Sequence, residues 1–288
     1  MNTWPSDYSQ AWTLASAVEL SGVGLHSGLV SRVRIQGSDR TGYHVAWLDQ
    51  AHVPEQRLHP SQVCDTRLCT VLQLGERRLA TVEHLLAALA GCGVSQAQIL
   101  VQGEEIPLLD GSALPWVEAI GAAGLQPMGP RQAVQLPADG LIERKGTSFA
   151  AALPAETLRV GVAIEFPQAA IGRQLFSLDL TPARFVAEIA PARTFGFREQ
   201  LEQLLAAGLI RGGALDNALV CDGDSWLNPP LRFEQEPVRH KLLDLLGDLA
   251  LVGLPQAQVF AYRGSHQLHT ALARSMASLA AVPSACLP

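Results

Sequence analysis

The stretch Arg239–Asp248, RHKLLDLLGD, has the look of an amphipathic helix. Leu242, Leu245, Leu246 and Leu249 recur at helical spacing and require a core to bury them. Pro237, just upstream, suits the first turn of such a helix. His240, Lys241, Asp244 and Asp248 are threaded through the same turns. His240 and Asp244 stand four residues apart and so lie one above the other on a single face. Two readings of that pair stay open at this point. It is either two ligands for one metal ion or a surface His–Asp pair of no chemical consequence.

The rest of the chain bounds the answer. Its 288 residues make one large domain or two ordinary ones. A composition of 48% hydrophobic and 17% charged residues excludes collagen-like, disordered and disulfide-scaffold classes. A net charge of −6 argues against a nucleic-acid partner, which needs a basic face. It leaves room for a local basic pocket that takes a phosphorylated small molecule. The five cysteines (Cys64, Cys69, Cys92, Cys221 and Cys286) are odd in number and form no CxxC. Neither a zinc ribbon nor a secreted disulfide framework fits, and reduced thiols are the simplest expectation. The N-terminal segment carries no basic region followed by an apolar one, and no run of about eighteen apolar residues occurs. The expectation is a cytoplasmic protein without a transmembrane segment, acting as a monomer.

Along the chain, residues 12–35 alternate on either side of SGVGLHSG and predict a hairpin-like strand pair. YHVAWLD and LCTVLQL predict further short strands. TVEHLLAALAGCG predicts a helix capped by Thr81 and ended by Gly91 or Gly93. AQILVQG predicts a strand, and a DG turn leads into a second helix with Ser112 as its cap. GAAGLQPMGPRQAVQLP is rich in Gly and Pro without periodicity and predicts a boundary, which divides the chain into residues 1–126 and 127–288. Beyond it come the strands SFAAALP, LRVGVAIEF and RQLFSLDL, a helix after ARTFGF, the strand QVFAYRG and a last helix, HQLHTALARSMASLAA. Each half runs strands first and then helices mixed with strands, which predicts two α+β units. No internal repeat is visible in the residues themselves.

Eight histidines are present. His44, His52 and His59 sit in polar, turn-rich segments and read as surface residues. His84 follows Glu83 inside an apolar helix and is either a core-edge histidine or a ligand beside a general base. HExxH is absent, so the zincins lend no support. A catalytic zinc site takes three protein ligands and keeps a fourth position open. HxxxD supplies two, and His84 is the best candidate for the third. His266, near a strand end, could serve as an acid oriented by Asp248.

TVEHLLAALAG, EIPLLDGSA, ARTFGF, GGALDN and RFEQEPVRHKLLDLLGDLALVG, joined by GVGLHSG, CDTRLCT and AYRGSH, occur in an order that resembles the UDP-3-O-acyl-N-acetylglucosamine deacetylase family of lipid A biosynthesis. The matches run from about Gly22 to about His266. The resemblance implies an α+β fold of two similar domains, each a β-sheet packed with helices, with the active site at the domain interface. It implies one catalytic Zn2+ on His84, His240 and Asp244, with Glu83 as general base. His266 is implied as general acid or electrostatic partner, oriented by Asp248, and Thr194 as a donor to the oxyanion. Lys241 is implied to offer charge to an acylated UDP-N-acetylglucosamine substrate, and Phe195, Leu201 and Ile210 to line a passage for its acyl chain. The plain readings that stand beside these are Thr194 as a helix cap, Lys241 as a solvated helix residue, and Leu201 and Ile210 as core. His26 receives no role. Asp110 shapes the DG turn, and Cys69 fills core. Ser265, Ala214, His269 and Gln200 depart from the family pattern. The implied reaction is hydrolysis of the N-acetyl group, releasing acetate; the competing reading is a non-catalytic binder of the same nucleotide sugar.

Overall fold

The computed structural model describes residues 4–50 and 52–280. Cys286, Met1–Thr3 of the N-terminal segment and Ala281 of the expected last helix lie outside the described residues. The first half runs β1 (Gln10–Leu14), β2 (Val18–Val23), β3 (Val30–Gln36), β4 (Gly42–Trp47), β5 (Gln56–Arg57), β6 (Val63–Asp65), β7 (Val71–Leu74), β8 (Arg77–Leu79), α1 (Glu83–Gly91), β9 (Gln96–Gln102), α2 (Leu114–Ala123) and β10 (Leu125–Pro130). The second half runs β11 (Leu141–Lys145), β12 (Ser148–Pro154), β13 (Arg159–Glu165), β14 (Arg173–Asp179), α3 (Pro182–Glu188), β15 (Phe195–Phe197), α4 (Arg198–Ala206), β16 (Leu219–Asp222), β17 (Ser225–Trp226), α5 (Glu236–Leu249), β18 (Ala257–Tyr262) and α6 (His266–Ala280).

The fold is α+β, built on two five-stranded sheets of one topology. The sheet orders are β2-β3-β9-β4-β5 and β11-β12-β18-β13-β14. In each, the last strand in chain order enters the centre, antiparallel to the second strand and parallel to the third. The helix before that strand is α1 in one unit and α5 in the other; the helix after it is α2 or α6. The repeat that the residues conceal is therefore plain in the topology. Small insertions differ between the units: the sheet β6-β7-β8 in the first, and β15-β16-β17 with α4 in the second.

Strand alternation sends Val33, Ile35, Val45, Ile99 and Val101 of the first sheet, and Val160, Val162 and Val259 of the second, into the buried core. α1 packs against α5 within that core. All nine residues of α1 are buried. In α5 every residue from Glu236 to Leu249 is buried except Arg239 and Lys241. A helix buried all round is the expected state of a central element, so its His and Asp residues are interior groups and not a solvated face.

Several local expectations need correction. Residues 12–14 belong to β1, which pairs with β10, while the hairpin around SGVGLHSG is β2 with β3. The supposed boundary stretch thus contains a strand; Pro127 and Pro130 are tolerated there because the β1–β10 ribbon is two-stranded and all edge. Thr81 does not cap α1. Its φ is +57°, Val82 takes the cap position, and the Thr81 hydroxyl donates to Glu105 Oε1 at 3.0 Å. Ala113, not Ser112, caps α2, although the Ser112 hydroxyl accepts the Leu114 N–H at 3.1 Å. His44 is buried, because β4 is flanked by β9 and β5; His52 and His59 are exposed as expected. Among the described residues no helix is long and apolar enough to cross a membrane.

Candidate active site

Glu83 and His84 open α1, where an acidic residue is favoured by the exposed N–H groups of the first turn. The helix starts there because the left-handed turn at Thr81 redirects the chain. On α5, His240, Asp244 and Asp248 follow at four-residue steps along one face, pointing at the start of α1. The two helices can approach this closely because residue 247 is glycine: a Cβ there would overlap the Glu83 carbonyl.

Three ligand-type atoms converge. His240 Nε2 lies 3.3 Å and His84 Nε2 3.8 Å from the same oxygen, Asp244 Oδ1. The ligand atoms of the three residues all fall within 4.8 Å of one another. His240 Nδ1 faces the Ala192 carbonyl at 3.0 Å, which assigns its proton to that nitrogen and leaves Nε2 with a lone pair toward the cluster. Lys241 Nζ holds the other oxygen of Asp244, Oδ2, at 2.6 Å. Asp244 Oδ1 itself is buried without a hydrogen-bond partner. A buried carboxylate oxygen left bare between two imidazoles is costly unless a cation occupies the space, so the donor set fits a metal ion of the kind that takes nitrogen and oxygen ligands. Burial, with His240 adding to it, pushes His84 down to about 3, and burial lowers His240 as well. Neutral imidazoles are the ligating form. Burial raises Asp244, but Lys241 and the surrounding histidines outweigh it and hold the carboxyl well below the usual range.

Beside this cluster lies a second. Asp248 Oδ2 accepts from His266 Nδ1 at 2.9 Å and from His269 Nδ1 at 3.0 Å, while Oδ1 accepts the Thr70 hydroxyl at 2.5 Å. His266 Nε2 faces Glu83 Oε1 at 3.8 Å, and Glu83 Oε2 accepts the Thr70 N–H at 3.1 Å. Burial pushes Glu83 up to about 7, with Asp248 and Asp244 acting the same way against His266. Burial drives His266 down, yet Asp248 and Glu83 overcome it and raise the imidazole to about 9. Asp248, Asp244 and Glu83 thus sit around a cationic His266, with Glu83 poised near neutrality.

The predicted residues beyond these clusters are less closely joined. Thr194 is half-buried; its N–H donates to Gly111 O at 2.7 Å and its carbonyl accepts from Leu219 at 2.8 Å. Phe195 stacks edge-on near His240, with centroids 6.4 Å apart, and meets Phe166 at 5.6 Å. Lys241 is tied to Asp244 and is not a freely solvated residue. Leu201 on α4 and Ile210, at φ +49°, are half-buried, and neither belongs to the core. Cys69 is buried, and Asp110 shapes its turn by accepting Ser112 N–H at 3.0 Å.

Sequence reading gave no role to Thr70, His269 or Glu236, and noted His269 only as a departure from the family pattern. Thr70 lay inside CDTRLCT with no periodicity to mark it. His269 stands three residues after His266, a helical spacing that does signal a shared face. Glu236, fully buried, accepts from Arg193 Nε at 2.8 Å, Arg193 N–H at 2.9 Å and Arg232 N–H at 2.6 Å, and so ties the ARTFGF segment to the start of α5.

The model of the UDP-3-O-acyl N-acetylglycosamine deacetylase family matches residues 11–278. The chain belongs to that family. Members of the UDP-3-O-acyl N-acetylglycosamine deacetylase family resemble it along nearly their whole length. The UDP-3-O-acyl-N-acetylglucosamine deacetylase of Thermosynechococcus vestitus is 49% identical, over 92% of this chain and 93% of its own. That of Trichormus variabilis is 46% identical, over 93% and 98%. A probable mitochondrial deacetylase of the same name from Arabidopsis thaliana is 39% identical, over 92% and 87%.

Proposed function

We propose that this chain hydrolyses the N-acetyl group of UDP-3-O-(3-hydroxyacyl)-N-acetylglucosamine, releasing acetate and the free amine, as an early committed step of lipid A biosynthesis. Residues 1–126 would supply Glu83 and His84, and residues 127–288 would supply Thr194, His240, Asp244 and His266, with the site between the two units. The observation that carries the reading is Asp244 Oδ1, buried and without a partner between His84 and His240. The free thiols Cys64, Cys69, Cys92 and Cys221 support a reducing, cytoplasmic setting.

One zinc ion would be held by His84, His240 and Asp244; when bound, it supplies Lewis acidity to the acetamide carbonyl and lowers the pKa of water. The protein's own groups do the rest. Glu83, held by the Thr70 N–H through Oε2, has Oε1 left to take the proton of the attacking water. The new C–O bond puts charge on the carbonyl oxygen, toward which the Thr194 hydroxyl would donate. As the C–N bond breaks, the amine nitrogen takes a proton from His266 Nε2 or from Glu83. Asp248 keeps the His266 Nδ1–H turned inward, so that Nε2 is the end presented to the site. Lys241 would favour the anionic nucleotide sugar while holding Asp244, and Phe195, Leu201 and Ile210 would line the acyl passage.

The test is acetate release from UDP-3-O-(3-hydroxyacyl)-N-acetylglucosamine by purified protein, after chelation and again after one equivalent of zinc is restored. Activity that vanishes and returns supports the reading. Substrate binding without acetate in either state would replace it with a non-catalytic binder.

A further inference from the structure

His269 is 1% exposed, sits one turn along α6 from His266, and donates from Nδ1 to the same oxygen of Asp248, at 3.0 Å. Its other ring nitrogen, Nε2, is buried without a partner. The ring fits there because residue 264 has no side chain: a Cβ at Gly264 would lie 2.5 Å from Nε2. With the Thr70 hydroxyl on Oδ1 and two imidazole N–H groups on Oδ2, Asp248 is held from both ends. A carboxylate with one donor on Oδ2 can rotate about its Cβ–Cγ bond toward that donor. One with two donors there, 76° apart in ring plane, has a single orientation that serves both.

We propose that His269 is a positioning residue: by sharing Asp248 Oδ2 with His266, it fixes the carboxylate that in turn aims His266 Nε2 at Glu83. The inference rests on the acid role proposed above for His266. His269 groups with Asp248 and His266, apart from the proposed ligands His84, His240 and Asp244, and its side-chain hydrogen bond goes to Asp248. It acts through Asp248, as outer hydrogen-bond partners of catalytic groups do, and loss of such a partner costs about tenfold or more.

Four variants test it, two single changes at His269, His266→Ala and one double variant, each assayed for kcat, KM and bound zinc. His269→Leu removes the donor at similar volume; it is expected to lower kcat about tenfold with KM and zinc content unchanged. His269→Asn restores a donor near the Nδ1 position and should recover most of that loss, which a mere packing effect would not allow. In a His266→Ala background the His269→Leu change should cost nothing further, because its effect passes through His266. Wild-type kcat in His269→Leu, equal losses in the Leu and Asn variants, or a full additional loss in the double variant would each overturn the inference. Near wild-type turnover in His266→Ala alone would instead overturn the acid role, so the two failures are distinguishable.

Discussion

Gly247 of α5 lies against the Glu83 carbonyl at the start of α1, and no side chain can stand between them. The contact draws Glu83 and His84 up to Asp244 and Asp248, which flank Gly247 on the helix face turned toward α1. Both helices are buried, so neither can back away freely. Gly247→Ala is expected to destabilise the protein by about 1–3 kcal/mol, the usual cost of overpacking, and to lower metal affinity together with activity. Thermal denaturation and metal titration of the variant check this; a variant with unchanged Tm and zinc content would refute the tight-contact account.

Glu83→Ala should fold, retain one equivalent of zinc and lose about 10²–10⁴ of its turnover, the range of a general base. Glu83 contacts Thr70 and faces His266 but belongs to no ligand set, so the metal stays. Turnover near that of the wild type would remove Glu83 from the mechanism.

The pH dependence of kcat/KM should be bell-shaped. Glu83 must be ionised to accept a proton, so activity falls as pH drops through its pKa, which burial raises to about 7. A bound cation beside it draws this limb to lower pH. His266 must be protonated to donate, so activity falls again as pH rises through about 9, where Asp248 and Glu83 hold it against burial. In His266→Ala the basic limb at about 9 should disappear. A limb that persists there belongs to another group.

Glu236→Gln should cost on the order of 3 kcal/mol or more, the penalty for breaking one side of a buried ion pair. The carboxylate is fully buried against Arg193 and also holds two backbone N–H groups. Urea denaturation measures the loss. Because Glu236 anchors the segment that carries Thr194, kcat should fall at temperatures where the variant remains folded.

Leu201→Glu and Ile210→Asp should leave stability within about 0.5 kcal/mol, as substitutions outside the core do, while raising KM for a long-chain acyl substrate. A lowered Tm with unchanged KM would mean that both residues serve packing and not the acyl chain.

How much of this could be read from the chain depended on the range of each interaction. The strands SFAAALP, LRVGVAIEF and AQILVQG and the helix after Pro237 carry their period in their own residues, and all four form where expected. Caps were less legible. Thr81 has the right chemistry for a cap, but a carboxylate 24 positions away, Glu105, takes its hydroxyl, and the chain turns left-handed there. The β10 strand was hidden because its partner is β1, more than a hundred residues upstream, and its prolines argue locally for a loop. Within the candidate site, His240 and Asp244 share helical spacing and were visible as a pair; His266 and His269 also share a face of one helix but were not read together. Thr70 and Glu236 were not, since each is defined by contacts across 178 and 43 positions.

Most of the elements, the family and the residue types that can hold a metal or move a proton were legible in the chain, because periodicity, ordered motifs and side-chain chemistry are local properties. Tertiary structure decided that α1 and α5 meet, that His84 and Asp244 face each other, and that the two halves share one topology. It also decided the charge state of the site. Burial raises Glu83 to about 7 and lowers His84 to about 3, and burial exists only once distant segments have packed around those groups and excluded water.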